Sequence, residues 1–166
     1  MKKNFLVLWV MLLLATLPVL GQSARHNNTK TDNNMENNKI KMTVGNRMFT
    51  VTLNGNSSCE ALVKRLKQGN LHVRMDDYND MEKVGPLGFS LPRNDRQNDT
   101  GPGDIILYQG NYLVIYYDNN SWNFTRLGKV DGVSSRNEML ELLGGKGEKS
   151  VILLSLIHIS EPTRPY

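Results

Sequence analysis

Residues Gly103 to Asp118 read GDIILYQGNYLVIYYD, two short apolar runs separated by a turn. Isoleucine, leucine, valine and tyrosine dominate DIILYQ and NYLVIYYD, and these side chains suit a pleated, covered surface. Gly110-Asn111 supplies the reversal between them. Successive strand residues point to opposite faces, so Tyr112, Val114 and Tyr116 share one face and Leu113, Ile115 and Tyr117 the other. One set must line an interior. The other is free to back an outer groove, where aromatic faces would meet a ligand.

The same reading extends outward in both directions. KIKMTV places Ile40, Met42 and Val44 on one face, and MFTVTL does the same with Phe49, Val51 and Leu53. Gly45-Asn46-Arg47 joins them as a hairpin turn. Ser57 with Glu60 forms a capping-box start, and the helix it predicts runs through Leu62, Val63 and Leu66 to a stop at Gly69. LHVRM alternates again. DDYNDMEKVGPLGFSLPRNDRQNDTGPG is mostly turn and loop chemistry, with a short strand around Met81 to Val84. WNFTRLGKV is a further strand. Ser135 with Glu138 opens a second helix through Leu143, ended by Gly144 and Gly145, and KSVIL is the last strand. This order lacks the strand–helix alternation of a doubly wound sheet. It predicts a mainly β protein, a closed antiparallel barrel with two short helices outside.

The flanks read differently. Lys2 and Lys3, an apolar stretch from Phe5 to Leu20 and small residues at Gly21 to Ala24 have the layout of a secretory signal. The stretch is about 16 residues, shorter than the roughly 20 of a spanning helix, so residues 1–24 predict export to a periplasmic or extracellular compartment. An uncleaved signal would be the protein's membrane contact. Residues 25–38, RHNNTKTDNNMENN, are too polar to offset the entropy of ordering and read as a linker. The folded domain is then 39–153. Leu154 to Arg164, LSLIHISEPTRPY without its last two residues, resembles without a gap the translated end of a transposase-based sequencing adapter. Residues 154–166 are accordingly read as a non-native tail, whose apolar first half can mimic a strand continuation. His158 and Arg164 then carry no function.

The 166-residue chain has a formal charge of +4, which falls to +2 without Lys2 and Lys3, since Glu161 and Arg164 cancel. No Lys/Arg stripe with interleaved aromatics occurs, so no nucleic-acid partner is expected. Cys59 is the only cysteine, which excludes an internal disulfide. At a helix start the dipole would lower its thiol pKa. Without a companion His or second Cys, a small packing residue is the better reading. Asn56, Asn98, Asn119 and Asn123 head N-x-S/T triplets that chance explains in an asparagine-rich chain. The carboxylates of DDYND lack the spacing and central glycine of a calcium loop, and TGPGD lacks the lysine and following helix of a phosphate cradle. Neither cofactor nor metal is expected.

The segment GDIILYQGNYLVIYYD, with RLGKVDG at Arg126 to Gly132 and a short helix after it, resembles the cyclophilin-like domain family of prokaryotes. The resemblance reaches back through EKVGPL, ALVKRL and the first hairpin, covering nearly all of Lys39 to Leu153. It implies an eight-stranded closed barrel with two helices. It does not carry a reaction with it. Prolyl isomerisation by a cyclophilin uses a guanidinium beside the prolyl nitrogen, an apolar pocket and a polar group for the neighbouring carbonyl. The family motif for this is Phe-His-Arg followed by a Phe…Gln segment. His72, in LHVRM, has neither the preceding Phe nor that continuation. No catalytic residue is therefore assigned. The expected function is binding of a peptide or small ligand in an outer groove between the Tyr78–Arg93 segment and the tyrosine hairpin. Tyr78, Glu82, Arg93, Tyr116 and Arg126 are the candidate contacts, with Arg96 a further cation nearby. The alternative is a prolyl isomerase with a non-standard arginine.

Overall fold

The computed structural model describes residues 38–156. Residues 1–24, read as a secretory signal, all but the last residue of 25–38, read as a linker, and the tail from residue 157 onward, with His158 and Arg164, lie outside them.

The chain begins with a hairpin, β1 (Lys39–Val44) and β2 (Arg47–Leu53), and then the helix α1 (Ser57–Leu66). A second hairpin follows, β3 (Leu71–Tyr78) and β4 (Glu82–Pro86). Four more strands come next, β5 (Arg96–Thr100), β6 (Asp104–Tyr108), β7 (Tyr112–Tyr116) and β8 (Asn120–Val130). The helix α2 (Arg136–Leu142) and β9 (Lys149–Ser155) complete the order. Eight strands pair antiparallel in the ring β2-β1-β9-β3-β4-β7-β6-β8, which β2 closes by pairing with β8. The closure runs from Val51↔Val130 to Leu53↔Gly128. Gly128 is required there, because a Cβ would stand 2.3 Å from the Thr52 carbonyl oxygen. The expected mainly β, closed antiparallel barrel with two helices is the fold observed.

The two-residue period decides what fills the ring. Ile40, Met42, Val51, Ile105, Leu113, Ile115, Tyr117, Leu127, Val151 and Leu153 are buried in one continuous core, joined by Cys59, Leu62 and Leu66 of α1 and by Met139 and Leu143 at α2. Burying a side chain of this size contributes about 1.5–3 kcal/mol, and the alternation directs that term inward.

The structure corrects three local expectations. RQNDT forms a ninth strand, β5, paired only with the first half of β8. Its polar composition gives no alternation to read, and its order comes from the partner strand. α1 starts one residue earlier than the Ser57 capping box implies. Asn56 is the cap, its Oδ1 accepting from Cys59 N at 3.0 Å while its Nδ2 donates to Arg126 O. Asparagine is at least as good a cap as serine, and this one also ties the helix to β8. The turn between β6 and β7 centres on Gln109-Gly110, both with positive φ, one residue before the expected Gly110-Asn111. β9 runs past Leu153, with Leu154 opposite Lys41 and Ser155 opposite Ile40, the strand continuation that the apolar start of the tail was expected to mimic. The second capping box is present as read, Ser135 and Glu138 bonding reciprocally.

Candidate functional site

Two tight hairpins and one long strand build a groove on the outside of the barrel. Asn79 and Asp80 both take positive φ, giving the sharp turn that sets Tyr78 opposite Glu82 across β3 and β4. Glu82 in turn pairs with Tyr116 of β7. On β8, Asn120, Trp122 and Phe124 alternate onto the outer side. Ile106, Val114, Tyr116 and Phe124 form a second apolar cluster there, separate from the barrel core, with Met81 and Val84 against it. The Tyr116 and Phe124 rings are tilted by 35° with centroids 6.0 Å apart, within the range of favourable aromatic pairs. This cluster floors a groove of about 360 Å³. Tyr78, Tyr108 and Trp122 stand around it with 58%, 37% and 59% of their surface exposed. Large aromatic side chains left in water around a concave apolar floor make this groove the candidate site.

The polar chemistry of the groove centres on Glu82. The residue is only 8% exposed, and Oε2 has no hydrogen-bond partner among the described residues. Burial pushes its carboxyl pKa up, and a hydrogen bond from Tyr116 pulls it back in part. The Tyr116 phenol is itself driven far above the ordinary range, first by burial and then by the Glu82 carboxyl. Asn120 Nδ2 donates to the Tyr116 hydroxyl at 2.8 Å, which fixes the ring that neighbours the carboxyl. The arrangement is an aromatic groove with one dry carboxyl oxygen at its base.

Of the candidate contacts, Tyr78, Glu82 and Tyr116 come together here. Arg93 and Arg126 do not. Arg93 is bound to Asp95, and its stem lies beside Gly110. Arg126 sits opposite Ile106 in the ladder, yet its guanidinium is taken by Asp104 at 3.3 Å and by the Asp99 carbonyl of β5. Arg96 lies on β5, exposed. The expected Tyr78–Arg93 wall is also different. That stretch is a tight turn, then β4, then a segment pinned to the β6–β7 turn by Leu87 N–Asn111 O and Leu91 N–Gly110 O bonds, both 2.8 Å. The groove lies between the β3–β4 hairpin and the start of β8. Trp122, Asn120, Tyr108 and Phe124 belong to it and were not among the sequence candidates. The alternation Asn120, Trp122, Phe124 is visible in NSWNF, but the pairing that sets it at the groove is not.

Other chemistry-bearing residues have structural work. Burial pushes the Cys59 thiol up despite helix-start hydrogen bonds, and its Sγ donates to Leu127 O at 3.0 Å. Lys83 is fully buried, with Nζ bound to Asp77 at 2.5 Å and to Gly147 O at 2.6 Å. Burial alone would raise the Asp77 carboxyl, but Lys83, the Gly147 N–H and the Tyr117 hydroxyl together hold it below its usual range. In the DDYND segment, Asp80 pairs with Lys146 and Arg136. No cluster of three or more His, Cys, Asp or Glu suited to a metal exists among the described residues.

No curated protein and no solved structure matches the chain. One family model does, the cyclophilin-like family, over residues 42–153, from the first barrel strand to the last. That match spans more than half of the sequence and coincides with the closed barrel, its two helices and the groove, so the chain belongs to the cyclophilin-like family.

Proposed function

We propose that this is an exported binding protein, whose outer groove takes a small ligand or a short peptide segment. The observation that carries the reading is the juxtaposition of exposed Tyr78 and Trp122 with the buried, half-satisfied Glu82 carboxyl over an apolar floor. A buried acceptor without a partner costs about 1–3 kcal/mol, and a ligand donor placed on it would recover that term. The volume lies at the lower end of small-ligand pockets, about 300–1,000 Å³. Export rests on the basic–apolar–small layout of residues 1–24.

Prolyl isomerisation has less support. It calls for a guanidinium over the reacting amide, and both candidate arginines are held in ion pairs away from the groove. A thermal-shift screen of metabolites and peptides tests the binding reading, with Trp122→Ala as control. Stabilisation of the parent and not of the variant is expected. Absence of any stabilisation at millimolar concentration would overturn it. A protease-coupled proline-peptide assay separates the two readings, since a rate above the uncatalysed one that persists in Trp122→Ala would point to a different site and reaction.

A further inference from the structure

Resting on the reading of this groove as a ligand site, we infer that its ligand is a small organic ammonium, a primary amine cation on a short apolar stem.

Three observations converge on that chemistry. First, Glu82 Oε2 is buried and has no partner among the described residues, so a ligand donor brought to it would satisfy it. Charge-assisted bonds of this kind are about twice as strong as neutral ones. Second, among the described residues the groove holds no compensating cation. Its lining contains Tyr78, Asn79, Glu82, Tyr108, Asn120 and Trp122 as polar or amphipathic groups, with no lysine, arginine or histidine. The nearest ammonium along the chain, Lys83, is committed to Asp77 and Gly147. Third, the rim is aromatic. Tyrosine and tryptophan rings attract a cation through their quadrupoles, by about 0.5–2 kcal/mol each according to desolvation. An anionic ligand would meet a buried carboxyl, and a neutral apolar one would leave Oε2 dry.

The protonation balance follows. Burial raises the Glu82 carboxyl, and the titratable groups that line the groove with it are the phenols of Tyr78 on β3, Tyr108 on β6 and Tyr116 on β7. An arriving ammonium favours the ionised carboxylate, so binding releases a proton to solvent and affinity rises with pH through the free protein's Glu82 pKa.

The test uses three probes of one shape, n-hexylammonium, 1-hexanol and hexanoate, with shift perturbation of groove amides as readout for the parent and Glu82→Gln. The expected result is tightest binding of the ammonium, with about tenfold or greater preference over the alcohol. In Glu82→Gln that preference collapses while alcohol binding persists, which also shows that the variant is folded. N-acetyl-lysine-N-methylamide forms a fourth arm, and its binding less tightly than hexylammonium is expected of a small-amine site. Equal or tighter binding of alcohol or hexanoate, or a preference that survives Glu82→Gln, overturns the ammonium while leaving the groove reading intact. No perturbation of groove amides by any probe at about 10 mM overturns both, since fragments of this size bind in the millimolar range.

Discussion

Replacing Glu82 by methionine is the sharpest test of how the groove is built. Methionine matches the length of glutamate and carries no group that needs a partner. In the parent, Oε2 is buried with nothing to bond. Leaving such a group unsatisfied costs about 1–3 kcal/mol, more when it is ionised. Glu82→Met is therefore expected to gain about 1–3 kcal/mol of stability at pH 7. For a domain of roughly this size, that is about 4–12 °C in Tm. The gain must also depend on pH. The folded carboxyl's pKa lies above the ordinary 4.5, so the folded state binds its proton more tightly than the unfolded chain does. The matching stability is fully present below the unfolded pKa and is lost as pH rises through the folded one. Methionine does not titrate. The advantage of the variant is thus smallest near pH 4, grows as the pH rises and then levels off. Urea denaturation of both proteins between pH 4 and 8 measures it as the difference between the two curves. Asp77, Asp95, Asp131 and the other depressed carboxylates impose the opposite slope, but they are common to both proteins and cancel. A difference that is flat with pH, or a variant less stable than its parent at pH 7, would refute the reasoning.

Four further outcomes are expected. Gly128→Ala should cost about 1–3 kcal/mol or more, because its Cβ would meet backbone at the barrel closure, and denaturant unfolding reads this directly. Asp77→Ala should cost about 3–5 kcal/mol by leaving the buried Lys83 unpaired, whereas Lys83→Met should cost clearly less; equal losses would argue against a charge mechanism. The native Cys59 thiol should react with a water-soluble disulfide reagent only as fast as the protein opens, because the thiol is buried, bonded to Leu127 O and raised in pKa. Trp122→Ala should leave the melting temperature nearly unchanged, since the side chain is exposed, while weakening hexylammonium binding about 3- to 30-fold by titration.

Most of the barrel can be read from residue order, because a period of two survives wherever one face of a strand is buried. KIKMTV, MFTVTL and LHVRM show it plainly. NYLVIYYD shows it less, because Val114 and Tyr116 are covered too, by the outer cluster. RQNDT shows nothing, since its strand exists through pairing with β8 alone. The site divides along the same line. Tyr78 and Glu82 are adjacent through one hairpin register, which local sequence constrains, whereas Tyr116 meets Glu82 across the β4–β7 pairing of two strands far apart in the chain. Trp122 and Asn120 enter from the part of β8 that pairs with β5, beyond the β6–β8 ladder, and the Arg126 guanidinium is held by Asp104 and the Asp99 carbonyl. Both are long-range facts. A bulge between Ile105 and Ile106 shifts that ladder, and no local pattern announces it.

The unpaired side of β5 has its own consequence. Every other described strand has neighbours on both sides, so the ring offers no template to a passing chain. Among the described strands β5 alone has a single neighbour, and there the sequence is Arg-Gln-Asn-Asp-Thr, with two opposite charges and no large apolar side chain. Such an edge pairs poorly with a foreign strand. The described domain thus keeps its exposed aromatic surface in a concave groove and its single-neighbour strand polar. Concentrated solutions should then stay free of strand-mediated association while the groove remains open to small molecules.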